Sequence, residues 1–158
     1  MRLSFLSVPP LLLAACANER AAEPTLGTDA CEHFSNGPER AATAGASAPS
    51  AVDASEEHSR WDLILPGTEG QHEGFVKVAI GEAGEHVFFF DGAVGVAMTD
   101  ANGAAVSPAS NATSDADCAT VRVVLTFELE VGSYTLTIDG AEPEVSLVWF
   151  GTADEHGE

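Results

Sequence analysis

Two short runs hold the side chains with the most chemistry to offer. Cys31-Glu32-His33 places a thiol, a carboxylate and an imidazole side by side, and His58-Ser59-Arg60-Trp61-Asp62 gathers a second polar group beside an apolar stretch. His33, His58 and one acidic side chain would make a three-ligand site for Zn²⁺ or Cu²⁺, with His86 as a fourth member if the strands bring it near. No His-x-x-x-His or Cys-x-x-Cys spacing backs that set, and histidines hydrogen-bonded to loops explain it as well. Asp91, Asp100 and Asn102 offer hard oxygen ligands suited to Ca²⁺, and Asp115 and Asp117 add two more beside Cys118. Asp100-Ala101-Asn102-Gly103 lacks the remaining spaced ligands of a calcium loop, and an Asx-supported turn accounts for the same residues.

Catalytic constellations are scarce. Ser35, Ser59 and Ser133 have no nucleophile-elbow context, and Ser133 falls in an expected hairpin turn. No glycine loop of the phosphate-cradling kind follows a strand and opens a helix. Carboxylate pairs are frequent simply because the chain carries 25 Asp and Glu against 6 Lys and Arg. The expectation is a protein that is not an enzyme. A formal charge of -19 argues against nucleic acid, whose binding depends on Lys and Arg releasing counterions. It also disfavours broad contact with anionic lipid, while permitting cationic partners and divalent metals.

The three cysteines divide into one and two. Cys16 ends a short apolar run, whereas Cys31 and Cys118 remain as a pair. In an oxidising compartment their default is a disulfide. Closing a loop of that length is worth roughly 4 kcal/mol in the chain-entropy model. Two free thiols, or Cys31 as a metal ligand, are the competing readings.

The elements that must position these residues read as strands. Trp61, Leu63 and Leu65 alternate with Asp62 and Ile64 before Pro66-Gly67. Val76, Val78 and Ile80 alternate with Lys77 and Ala79. A dense aromatic strand spans residues 86–90, and Val94, Val96 and Met98 alternate with Gly95 and Ala97. Asp100-Ala101-Asn102-Gly103 is the best hairpin signal, with a short return over residues 104–106. Residues 107–117 read as a polar loop. Val121, Val123, Leu125, Phe127 and Leu129 share one face of the next strand, followed by Tyr134, Leu136 and Ile138 and a last strand over residues 145–150. An edge strand is expected over residues 42–49. No long stretch shows a 3.6-residue period. The fold class is all-β, an antiparallel two-sheet sandwich, jelly-roll-like, of seven to eight strands, because strands with one apolar face need a second sheet to bury against. Trp61, Phe88, Phe90, Phe127, Tyr134 and Trp149 are the expected core.

Leu13-Ala14-Ala15-Cys16 resembles the lipobox of bacterial lipoproteins, with Arg2 as the positive start and an apolar stretch too short to span a bilayer. The resemblance implies that residues 1–15 are a signal peptide. It also implies that Cys16 carries a thioether-linked diacylglycerol and an N-acyl group, and that the protein hangs from the membrane by these chains. Ala17 rather than Asp after Cys16 implies the outer membrane, facing the periplasm or the cell surface. Residues 16–30 then form a flexible tether, residues 31–150 the domain and residues 151–158 a polar tail. Residues 127–138, Phe-Glu-Leu-Glu-Val-Gly-Ser-Tyr-Thr-Leu-Thr-Ile, resemble the penultimate hairpin of pre-peptidase C-terminal type jelly-roll domains, and the likeness covers residues 73–150. It implies a non-catalytic sandwich of a kind that sometimes binds calcium or polymers. The anchor, together with a compact domain without catalytic residues, points to a domain that binds or scaffolds, with an envelope protein as partner. The alternative is an extracytoplasmic metal-binding protein, taking Zn or Cu through His33 and His58 or Ca through Asp100 and Asn102.

Overall fold

Residues 25–151 are described by a computed structural model. The leader 1–15, Cys16, tether residues 17–24 and tail residues 152–158 lie outside them. Among the described residues there is one helix, α1 (Leu26–Asn36), followed by β1 (Glu39–Thr43), a single 3-10 turn (Ala48–Ser50), β2 (Val52–Asp53), β3 (Arg60–Ile64), β4 (Gly67–Thr68), β5 (Gln71–Ile80), β6 (Gly84–Phe90), β7 (Val94–Asp100), β8 (Ala105–Val106), β9 (Ser110–Ala112), β10 (Val123–Leu129), β11 (Gly132–Gly140) and β12 (Glu144–Phe150). The strands form two six-stranded sheets. Sheet A runs β1-β3-β12-β6-β10-β9, and sheet B runs β2-β5-β11-β7-β8 with β4 paired to β5.

The two-sheet sandwich is therefore present, with differences in detail. Both sheets are mixed: β1 lies parallel to β3 and β2 parallel to β5. The strand count exceeds seven to eight because the short pieces β2, β4 and β9 carry too few apolar residues to announce themselves, whereas β8 is the short return expected over residues 104–106. The edge strand expected over residues 42–49 begins earlier, as Glu39–Thr43, and gives way to the 3-10 turn. Part of the expected polar loop, Ser110–Ala112, pairs with β10.

The core between the sheets follows from period-two burial. Val76, Val78 and Ile80 of β5 meet Leu136 and Ile138 of β11 and Met98 of β7 from one side. Trp61, Leu63, Phe88, Phe90, Leu125, Phe127 and Trp149 meet them from the other. All six expected core aromatics belong to this cluster. Phe88 stacks on Trp149 with ring centroids 5.5 Å apart and meets Phe127 edge-on, both geometries that suit the ring quadrupoles. Trp149 Nε1 donates to the Ala54 carbonyl at 2.9 Å, so the buried indole leaves no orphan donor. Tyr134 Oη closes the β10–β11 turn by donating to the Glu130 carbonyl at 2.9 Å.

Sheet A is buried on its other face as well. Val87 and Phe89 of β6, Val148 and Phe150 of β12, and Val121 form a second apolar cluster under Ala30 and Phe34 of α1. This corrects two expectations. Residues 26–30 are helix rather than tether, and Val121 packs in this outer cluster rather than with Val123 and Leu125 in the main core. The physical reason is the composition of β6 and β12. Phe88-Phe89-Phe90 and Val148-Trp149-Phe150 are apolar at consecutive positions, which period two sends to both faces, so the outer face needs a cover. Leu26, Ala30 and Phe34, four residues apart, supply it. Thr25 caps the helix by accepting from the Thr28 amide at 3.3 Å, and the Gly37 amide donates back to the His33 carbonyl at 3.0 Å.

Candidate functional site

Cys31 on α1 and Cys118 before β10 are bonded, with Cα atoms 5.2 Å apart and a sequence separation of 87. The bond fixes the helix over the outer apolar patch and excludes Cys31 as a thiolate ligand. Around it the carboxylates of the acidic loop are engaged within the chain. Asp115 Oδ1 accepts the amides of Asp117 and Cys118 at 2.8 and 3.1 Å, and Asp117 Oδ2 accepts the Thr25 hydroxyl at 2.6 Å.

The same helix carries His33 in its last turn, and the structure brings His33 and His58 together. Their ring centroids lie 5.7 Å apart, and both rings rest against Phe150, at 5.6 and 4.9 Å. The loop bearing His58 is tied across the end of β12. Trp61 Nε1 donates to the Glu56 carbonyl at 3.2 Å, the Gly151 amide donates to Glu57 Oε2 at 3.0 Å, and the His58 amide donates to the Trp149 carbonyl at 3.2 Å. To make this crossing His58 takes φ 55°, the left-handed region, which disfavours a side-chain-bearing residue by about 1–2 kcal/mol. Arg60 anchors the helix end. Its Nη1 donates to the Phe34 carbonyl at 2.7 Å, one of the unpaired acceptors of the last turn, and its Nη2 pairs with Glu39 and Asp62 at 2.8 and 3.0 Å. Sequence reasoning found the His58 cluster but not this capping role, which needs the helix to be known.

His33 Nδ1 is buried with no hydrogen-bond partner among the described residues. It faces the Gly37 backbone so closely that a Cβ there would lie 2.8 Å from it. Burial, and then the neighbouring His58, hold the His33 imidazole below 6.5, while Asp29 and Glu32 pull the other way. Because Nδ1 is enclosed, an external ligand would have to engage Nε2.

His86 does not join. It lies on the inner face of sheet A, fully buried, with its ring 6.1 Å from Trp149 and Nδ1 within 3.0 Å of the Gly84 carbonyl. Among the described residues no group of three or more His, Cys, Asp or Glu side chains is placed to hold a metal ion. Asp100 and Asn102 form the hairpin turn. Asp100 Oδ1 accepts the amides of Asn102 and Ala104, each at 2.8 Å, and these bonds, the Ala104 one first, hold its carboxyl below the usual range. Asp91, at the other end of β7, accepts the Ser146 amide at 2.7 Å. Of the oxygen ligands proposed for Ca²⁺, Asp91, Asp100 and Asp115 thus accept backbone amides and Asp117 accepts a hydroxyl.

No family model matches the chain, and no curated protein matches it. What the structure shows of the likeness to pre-peptidase C-terminal domains is an all-β two-sheet sandwich.

Proposed function

We propose that this chain is a non-catalytic binding or scaffolding domain, held in the bacterial envelope by acyl chains on Cys16 and acting at the outer membrane. The observation that carries the reading is the Cys31–Cys118 bond, which joins the first helix to the body of the sandwich. Such bonds form and persist outside the reducing cytosol, in keeping with the leader pattern Leu13-Ala14-Ala15-Cys16. The polar side chains that sequence singles out serve as caps, turns and loop ties, which supports a presenting scaffold over a reactive centre. Attachment by lipid is proposed from the leader pattern ending at Cys16; no helix among the described residues is long and apolar enough to cross a membrane.

The test is mass spectrometry of protein extracted from native membranes, joined to crosslinking in intact envelopes. The reading expects an acylated N-terminal Cys16, loss of that mass and of membrane retention in Cys16→Ser, and a reproducible crosslinked partner. A native chain with an unmodified residue 16, or no recurrent partner, rejects it.

The convergence of His33 and His58 favours a second reading, an extracytoplasmic Zn or Cu binder with Nε2 donors. Elemental analysis of natively purified protein and of His33→Ala and His58→Ala decides it. Unchanged metal stoichiometry in both variants excludes the pair as ligands.

A further inference from the structure

We propose that the first half of β7 is a docking edge for an extended peptide segment bearing a basic residue between two apolar ones. This deepens the binding reading above and rests on it.

The edge arises from a strand that changes sheets. β8 pairs with β7 only at Met98↔Val106 and Thr99↔Ala105. Continuing that register would set residue 108 opposite Val96, and residue 108 is Pro, which has no amide to donate. The chain leaves at this point. The Ala109 amide bonds to the Thr126 carbonyl at 2.7 Å, and β9 pairs with β10 in the other sheet. Among the described residues, positions 94–97 of β7 thus pair on one side only, with β11.

Register tells which backbone groups stand open. The Asp100 amide donates to the Ala104 carbonyl, toward β8. Backbone groups alternate sides along a strand, so the N–H and C=O of Val94 and Val96 point to the open edge, while those of Gly95 and Ala97 meet β11. The segment Val94-Gly95-Val96-Ala97 has no charge and no proline. Natural edges are usually blunted by charge, proline or extreme shortness. The other edges follow that rule: β1 carries Glu39 and Arg40, β9 is three exposed polar or small residues, and β2 is two residues long.

The flanking chemistry selects the occupant. On the outer face of sheet B, Glu73, Asp139 and Gly95 lie in one cross-strand row. The Asp139 carboxylate leans over Gly95, with Oδ1 2.7 Å from where a Cβ would stand. Both carboxylates are exposed and border a cleft of about 600 Å³ that also reaches Ala93, His72 and Gly140. A Lys or Arg opposite Gly95 on an added strand would lie across the glycine and meet Asp139. Its neighbours on either side would face inward, over the half-buried Val94, Val96 and Val106. Main-chain bonds give affinity in this mode and alternate side chains give specificity. A second copy fits poorly, because each chain carries -19 and the acidic row would face its twin.

The probe is an end-blocked synthetic peptide alternating Val with Arg, compared with its Val–Glu counterpart and with a copy N-methylated on alternate amides. Binding is read by fluorescence anisotropy on the full chain and by hydrogen exchange at the Val94 and Val96 amides. The proposal expects saturable binding, on the order of tenfold tighter for Arg than for Glu. It also expects loss of binding on N-methylation, slowed exchange at Val94 and Val96, and a collapsed Arg preference in Asp139→Asn. No saturable binding, or binding indifferent to N-methylation, overturns it. So does a concentration-dependent dimer that protects the same two amides. An envelope partner still captured after the peptide result fails leaves the broader binding reading standing, whereas an unacylated Cys16 removes the placement without touching the edge.

Discussion

Replacing Cys31 and Cys118 together by Ala should destabilise the whole sandwich while leaving its folded form intact. The bond spans 87 positions, and the chain-entropy model assigns a closed loop of that size about 4–5 kcal/mol, acting through the unfolded chain. In the folded protein α1 has other holds: Ala30 and Phe34 in the outer cluster, the Arg60–Phe34 carbonyl bond, and the Thr25–Asp117 bond. The folded state thus changes little, and the unfolded state gains freedom. The assay is urea denaturation followed by tryptophan emission, because Trp61 and Trp149 sit in the core between the sheets and report the sandwich rather than the helix. The expected result is a single transition at lower urea, with a steeper slope because the uncrosslinked chain exposes more surface. An unfolding free energy within about 1 kcal/mol of the parent would refute the loop argument. In that case, rapid exchange of the α1 amides would show that the helix detaches alone and that the bond fastens only a local flap.

Other perturbations test single interactions. Since His33 is held below 6.5 by burial and by His58, the unfolded chain takes up that proton first. Stability from this site is present above pH 6.5 and is lost as pH falls through the lower, folded value. Urea midpoints should drop more between pH 7.5 and pH 5 in the parent than in His33→Gln, and equal drops would exclude the imidazole as the cause. Gly103 takes φ +79° with no atom within 4 Å of a Cβ position, so Gly103→Ala meets backbone strain alone and should lower stability by about 1 kcal/mol in thermal unfolding. Trp149→Phe orphans the buried Ala54 carbonyl and should cost about 1–3 kcal/mol by urea titration, and a neutral result would mean water reaches that carbonyl.

The sheets were legible because their strands obey a period of two. β5, β7 and β11 alternate cleanly and face the core as their residues imply. The Asp100–Gly103 hairpin was legible because only a few residue types tolerate its backbone. The disulfide followed from there being two cysteines left over. What stayed hidden was set by distant partners. α1 offers only Leu26, Ala30 and Phe34 as an apolar stripe, with Gly27 in its first turn, and eleven residues of that composition do not hold a helix alone. The cover of sheet A supplies the missing stabilisation, and the signal for it lay in β6 and β12, fifty and more positions downstream.

The candidate site divides along the same line. That His33 and His58 meet is a consequence of the docked helix, so it could be named from residue type but not placed. The condition set for His86, that the strands bring it near, fails for a simple reason of parity. Residues 86, 88 and 90 share a face, and Phe88 and Phe90 are core, so His86 must turn inward with them, across the sheet from Phe150. The open edge of β7 could be foreshadowed by Pro108 alone, since a proline two residues past Val106 cannot continue the ladder. Whether that makes an edge or merely a loop depends on which strand lies beyond, and here the chain crosses to the other sheet and leaves Val94 and Val96 with backbone groups turned outward. The uncharged surface of this domain that is ready for main-chain pairing therefore sits beside its acidic row, and that adjacency, rather than any single residue, gives the edge a preference among peptides.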